Sequence, residues 1–226
     1  SASRDAENAA DFTNRMRDLG VDVRVIPGEL EAALSFSGAT AEFPGESAVV
    51  VDVGGGSTEV VAGQSGNAPV LAKSFDIGCR RMTERFLKTD IPTKAEIEAA
   101  RTWMHDQMAP YFAELHSHGF TGARMVAVAG TATTAVSIRE AMETYDSSRV
   151  HKARVTRGQL DAIAGCLGSQ PLATRRQTVG LDPDRAPVIV AGFLILQTIM
   201  DLLGVSEFSV SESDILQGIV LRVAND

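Results

Sequence analysis

The sequence predicts an α/β fold built on a mixed sheet, with elements in the order βββαβαβα, and three observations carry that prediction. Ala48 to Val53 (AVVVDV) is an almost unbroken β-branched run, the composition of a strand buried on both faces. STEVVAG (57–63) and PVLAKSF (69–75) follow after short glycine-bearing connections, so three strands in succession read as an antiparallel meander. Stretches of helical periodicity then alternate with two more strands, MVAVA (125–129) and EFSVS (207–211).

Upstream of the meander, residues 5–19 place Ala6, Ala9, Ala10, Phe12, Met16 and Leu19 on one stripe at helical spacing, and Gly20 stands in the C-cap position. VDVRVI (21–26) alternates apolar and charged residues and is closed by Pro27-Gly28, which predicts a short strand. GELEAALSFSGA (28–39) is a second helix, and Thr40 to Ser47, with Phe43-Pro44-Gly45-Glu46, is the best linker. After the meander, helices are expected at Cys79–Leu87, Lys94 to about His116, Thr131 to about Glu143, Gly158 to Leu167, Ala186 to Leu203 and Asp214 to Val223. The segment APVIVAGFLILQTIMDLL is apolar nearly all round and is therefore placed inside the molecule.

Charge and cysteine content exclude several function classes. The 226 residues carry 21 Lys+Arg against 29 Asp+Glu, a net charge of -8. Such a field repels nucleic acid and anionic membrane, so an anionic ligand has to be met locally by amides, a few arginines or a metal. Cys79 and Cys166 stand far apart without a CxxC or a histidine cluster, which argues against zinc, a disulfide framework or a redox motif and fits a reducing cytoplasm. No run approaches the ~18 to 20 apolar residues of a membrane span, and the N-terminus has no basic region followed by an apolar one. The chain opens on Ser1 rather than Met, so a longer parent protein is expected.

Two turns carry the chemical signal. In Val51-Asp52-Val53-Gly54-Gly55-Gly56-Ser57-Thr58-Glu59 an acid ends a buried strand, three glycines turn the chain, and a second acid follows. Glycine tolerates positive φ and leaves its amide unshielded, so successive N–H groups can converge on a phosphate. Asp52 and Glu59 beside such a turn can hold magnesium through its water shell. A tight hairpin explains a bare triple glycine equally well, but an acid inside an apolar strand needs a partner. The second turn is Val128-Ala129-Gly130-Thr131-Ala132-Thr133-Thr134, a strand, a glycine and a helix start with unpaired amides. A capped helix alone would also account for it. Together the two suit a phosphate gripped from two sides.

This order resembles the actin-like, ribonuclease-H-like nucleotide-binding domain. Ser1-Ala2-Ser3-Arg4-Asp5-Ala6-Glu7-Asn8, Ile26-Pro27-Gly28-Glu29-Leu30-Glu31-Ala32, Asp52 to Glu59, Ala129-Gly130-Thr131 and Ser211-Glu212 also fall in the order seen in the exopolyphosphatase and guanosine pentaphosphate phosphohydrolase family. That family has two actin-like domains around a phosphate-binding cleft. The acidic-Gly-Ser-Asn-Ser loop usual near its N-terminus is not found here. The resemblance therefore implies that residues 1–46 are the end of domain one with a linker, and that 47–226 are domain two.

The resemblance implies roles residue by residue. Glu31 takes the general-base position of the family's Gly-x-Glu-Glu-Ala element, with Leu30 as a departure; acids at 29 and 31 would also complement a helix dipole. Arg4 resembles the cleft arginine that neutralises phosphate oxygens. Gly54, Gly55, Gly56, Ser57, Gly130 and Thr131 would bind phosphate, and Asp52 and Glu59 would be associated with Mg2+. The family's Ser-Asp-x-x-x-Arg-Glu-Gly ending is replaced by Ser211-Glu212-Ser213-Asp214-Ile215-Leu216-Gln217-Gly218. The implied reaction removes a terminal phosphate from polyphosphate or guanosine pentaphosphate by direct water attack, in a cytoplasmic protein. The alternative is an actin-like regulatory domain that binds nucleotide or phosphate without hydrolysis, which would need the glycine turns but no base. The partners implied are the substrate and the rest of domain one; no nucleic acid or membrane is expected. The 226-residue chain by itself is expected not to turn over polyphosphate, and the 1–40 segment should pack on domain two, pair with a second copy in a homodimer, or be mobile.

The remaining features read as structural. The four histidines lack metal-ligand spacing, Trp103, Met104 and Met108 read as core, and Arg149, Lys152, Arg154 and Arg157 read as a solvated face or an extension of a polyphosphate track.

Overall fold

The computed structural model describes residues 9–21, 23 and 26–225. Its centre is a six-stranded mixed sheet of β1 (Ser47–Val53), β2 (Thr58–Gln64), β3 (Leu71–Phe75), β4 (Arg124–Val128), β5 (Arg154–Thr156) and β6 (Glu207–Val210). The strand order is β3-β2-β1-β4-β6-β5. β1, β2 and β3 pair antiparallel, as the meander predicts, whereas β1–β4 and β4–β6 are parallel. The edge strand β5 was not legible in the sequence: three residues of alternating burial give no periodicity to read, and only pairing with β6 makes Arg154–Thr156 a strand.

Helices cover both faces. Among the described residues they are α1 (Ala9–Asp18), α2 (Gly28–Thr40), α3 (Cys79–Phe86), α4 (Lys94–Ser117), α5 (Ala129–Arg139), α6 (Ser147–Val150), α7 (Arg157–Gly168), α8 (Leu172–Arg175), α9 (Ile189–Leu203) and α10 (Ile215–Asn225). α4 begins at a capping box: the Thr93 hydroxyl accepts from the Glu96 amide, and the Glu96 carboxylate accepts from the Thr93 amide. α9 ends at Gly204 in the left-handed conformation, φ 74°. Its helical stretch is buried almost throughout, as expected of an all-round apolar helix.

Alternation along β1 divides the core. Val49, Val51 and Val53 point into the larger cluster, with α4, α9 and α7. Ala48 and Val50 point to the other side, where Phe36 and Ala39 of α2 close a smaller cluster over Val61, Val126 and Val128. Phe36 is fully buried there, and its truncation to alanine should cost about 3–5 kcal/mol. α2 therefore packs on the sheet, and α10 packs on α2. Those two helices meet without intervening side chains: a Cβ on Gly38 would collide with the Asp214 carbonyl, and one on Gly218 with the Leu34 carbonyl.

Part of the N-terminal reading lies outside the described residues: the first residues of the 5–19 helix, and Asp22, Arg24 and Val25 of VDVRVI, so that expected strand has no observed counterpart. Met104 and Met108 are buried in the core as expected.

Candidate active site

Because β1, β4 and β6 run parallel, their carboxyl ends share one edge of the sheet, where open α/β sheets bind ligands. Both glycine turns and the residues after β6 are brought to that edge. On the face under α2, cross-strand pairing lines up Val128, Asp52, Glu59 and Ser74 in one row over β4, β1, β2 and β3. The next row inward, Val126, Val50, Val61 and Ala72, is apolar. The α2 face thus changes from core to polar site within two residues of strand.

A cavity of about 340 Å³ opens over these rows, lined by Asp52, Glu59 and Ser74 below and by Gly28, Glu29 and Glu31 of α2 above. The Ser74 hydroxyl donates to Glu59 Oε1 at 2.7 Å. Asp52 is the perturbed group: burial, then the charges of Glu59, Asp214 and Glu31, push its carboxyl up to about 6. The structure thus brings Glu31, Asp52 and Glu59 together, and adds Asp214. Asp214 was read only as part of a divergent C-terminal motif, because its approach depends on where β6 ends. Among the described residues no group of three or more Asp, Glu, His or Cys could by itself hold a metal ion. A pair such as Asp52 and Glu59 fits magnesium, which takes one or two carboxylates and keeps several waters. A cation would relieve the part of that shift that comes from the neighbouring carboxylates.

The triple-glycine turn is closed by a Gly54 amide to Ser57 carbonyl bond of 2.9 Å. Its own carbonyls are all taken from one side. Gly54 O accepts from the Cys79 amide, Gly55 O from the Arg80 and Arg81 amides, and Gly56 O from Arg81 Nε. Among the described residues no acceptor takes the amides of Gly55, Gly56 or Ser57, which are left for an anion. Expectation and structure differ in the reason for glycine here: none of the three has positive φ. The demand for glycine falls on Gly78, where a Cβ would lie 2.5 Å from the Gly55 backbone.

The second turn is stitched to the first. Thr131 is buried and donates its hydroxyl to Val53 O at 3.0 Å, immediately before Gly54. That hydroxyl proton is committed to the scaffold, so a phosphate would meet backbone amides here. Ala129 takes positive φ, 61°, to turn from β4 into α5. Over Gly130 lies Arg185, whose guanidinium occupies the space a Cβ would need. Sequence reading missed Arg185, since Asp-Pro-Asp-Arg-Ala-Pro has no spacing that points to the turn. Arg4 lies outside the described residues. The basic cluster is paired with acids: Arg149 with Glu140, Lys152 with Glu42, Arg154 with Glu207, and Arg157 with Asp161 and Asp201. A polyphosphate track gains no support from it.

A sheet of this topology, with two glycine turns joined at its carboxyl edge, defines an actin-like protein of the ribonuclease-H-like class. Residues 1–226 match the Ppx/GppA phosphatase family, and the chain belongs to that family. It is 36% identical over 237 residues to exopolyphosphatase 2 of Mycobacterium tuberculosis, a match covering 99% of this chain and 73% of that protein. It is 33% identical to a bifunctional 3-dehydroquinate synthase/phosphatase of Fusobacterium nucleatum, covering 98% of this chain and 33% of that one. Among solved structures, the Aquifex aeolicus Ppx/GppA family member superposes with a TM-score of 0.88 at 27% identity, over 99% of this chain and 72% of that one. No helix among the described residues is long and apolar enough to cross a membrane.

Proposed function

We propose that the protein hydrolyses terminal phosphoanhydride bonds, with inorganic polyphosphate as substrate and guanosine pentaphosphate as the second candidate. One observation carries this: Glu31, Asp52 and Glu59, from a helix and two strands, line one cavity. The name exopolyphosphatase 2 of a relative supports polyphosphate as the substrate. The guanidinium of Arg185 binds and orients the terminal phosphate, and the amides of Gly55, Gly56 and Ser57 stabilise charge developing on its oxygens. Glu31 accepts a proton from the attacking water as the new P–O bond forms. The bond to the bridging oxygen breaks, and the shortened substrate leaves with that electron pair. Magnesium, held through water by Asp52 and Glu59, would supply charge neutralisation at the phosphoryl oxygens.

Residues 1–46 are proposed to belong to the first actin-like domain and 47–226 to the second, in a cytoplasmic protein. The 226-residue chain alone is proposed to be a poor catalyst, because the groups proposed to meet the phosphate, Gly55, Gly56, Ser57 and Arg185, all lie within residues 47–226. The reading is tested by phosphate release from polyphosphate and from guanosine pentaphosphate by the full-length protein, with and without magnesium. Release from neither would leave a phosphate-binding regulatory domain as the better account.

A further inference from the structure

Arg175, the last residue of α8, is 4% exposed, yet among the described residues no carboxylate accepts from its guanidinium. Four backbone carbonyls do. Nε donates to Leu167 at 2.9 Å, Nη1 to Ala186 at 3.3 Å, and Nη2 to Gln170 at 2.9 Å and Asp90 at 3.2 Å. Burying a cation is a poor route to stability even with the Asp90 carboxylate nearby, since a well-packed apolar side chain often serves as well. What arginine offers is a rigid planar fork that fixes several segments at once. Here it joins the end of α7, the α3–α4 connection and the approach to α9.

The Ala186 carbonyl is the informative one, because Ala186 follows Arg185. The segment leading to it is pinned at a second point by Gly180, φ +84°, where a Cβ would collide with the Ser137 carbonyl of α5. A turn then closes from the Arg185 amide to the Asp182 carbonyl at 2.9 Å. Beyond these anchors the Arg185 side chain extends over Gly130. We propose that Arg175 is a positioning residue: its four-carbonyl clamp fixes the backbone at residue 186 so that the Arg185 guanidinium stays above the Gly130 turn. This rests on the reading of Arg185 as a phosphate-orienting cation.

The test is a double-mutant cycle in the full-length protein, with polyphosphate of defined length and magnesium, using Arg175→Gln, Arg185→Ala and their combination. Arg175→Gln is expected to raise KM about tenfold with kcat changed by less than about threefold, the size of one lost charge-assisted contact. In the Arg185→Ala background the same change should leave KM unmoved. An equal rise in both backgrounds, or a loss of kcat that tracks the folded fraction at constant KM, would make Arg175 purely structural and overturn the proposal. An unchanged KM in Arg185→Ala would instead remove the phosphate role of Arg185. If Arg175→Gln does not fold, Arg175→Lys, which keeps the charge but reaches fewer carbonyls, completes the cycle with the same expectations.

Discussion

Asp52 of β1 and Glu59 of β2 are direct cross-strand partners, two acids side by side on the face that α2 covers. Burial disfavours the ionised Asp52 carboxyl, and the like charge of Glu59 at that spacing adds to the effect. Asp52 is consequently pushed up from 3.8 to about 6, so between these values the native state holds more protons than the unfolded chain. By linkage, its contribution to stability is best below about pH 4 and falls as pH rises through 6. Asp52→Asn should therefore stabilise the metal-free protein above pH 7 by up to about 3 kcal/mol, with the gain shrinking towards pH 4. Magnesium at pH 7.5 should raise the melting temperature of the wild type and not of Asp52→Asn. Calorimetry of both proteins across this range checks the sign, and a variant less stable than wild type at pH 7.5 without metal would contradict it.

The glycine turn predicts two different outcomes at two glycines. Gly55 has no positive φ and a Cβ there meets nothing within 4 Å, so Gly55→Val should fold with a small loss of stability. It should weaken phosphate binding all the same, because a branched side chain shields the free amides. Gly78→Ala pushes a methyl into the Gly55 backbone and should lower both melting temperature and binding. Phosphate titration alongside thermal melts separates the two; a sharp stability loss in Gly55→Val with binding intact would make the turn a structural hairpin.

Gly38 sets the height of α2, and with it Glu31. Gly38→Ala drives a methyl into the carbonyl of Asp214 and should cost about 1–3 kcal/mol through overpacking. Displacing α2 from α10 also moves Glu31 relative to Asp52, so kcat of the folded fraction should fall as well. Kinetics corrected for folded protein decide whether the crossing is only a packing contact.

Much of this fold was legible because its signals are local. The β-branched run at Ala48, the Gly54–Gly56 turn and the apolar 186–203 segment each announce an element by composition alone. Glu31, Asp52 and Glu59 were nameable as candidates, but the register that sets Asp52 against Glu59 is a property of pairing. Arg185 was not readable and Asp214 was named only within a divergent motif for the same reason: each reaches the site through long-range placement, Arg185 over Gly130 and Asp214 in the segment after β6. The demand for glycine was placed on the Gly54–Gly56 turn rather than on Gly78, because the close approach of Gly78 to Gly55 depends on where α3 packs.

The central claim is that Glu31 takes the proton of the attacking water while Asp52 and Glu59 serve the metal. It is tested most directly by the rate of phosphate release from polyphosphate by full-length Glu31→Gln at saturating magnesium. Glutamine keeps the shape and removes the base. The account predicts a fall in kcat of roughly 10²- to 10⁴-fold with the apparent affinities for magnesium and polyphosphate nearly unchanged. Wild-type turnover in this variant would contradict it and remove Glu31 from the chemistry.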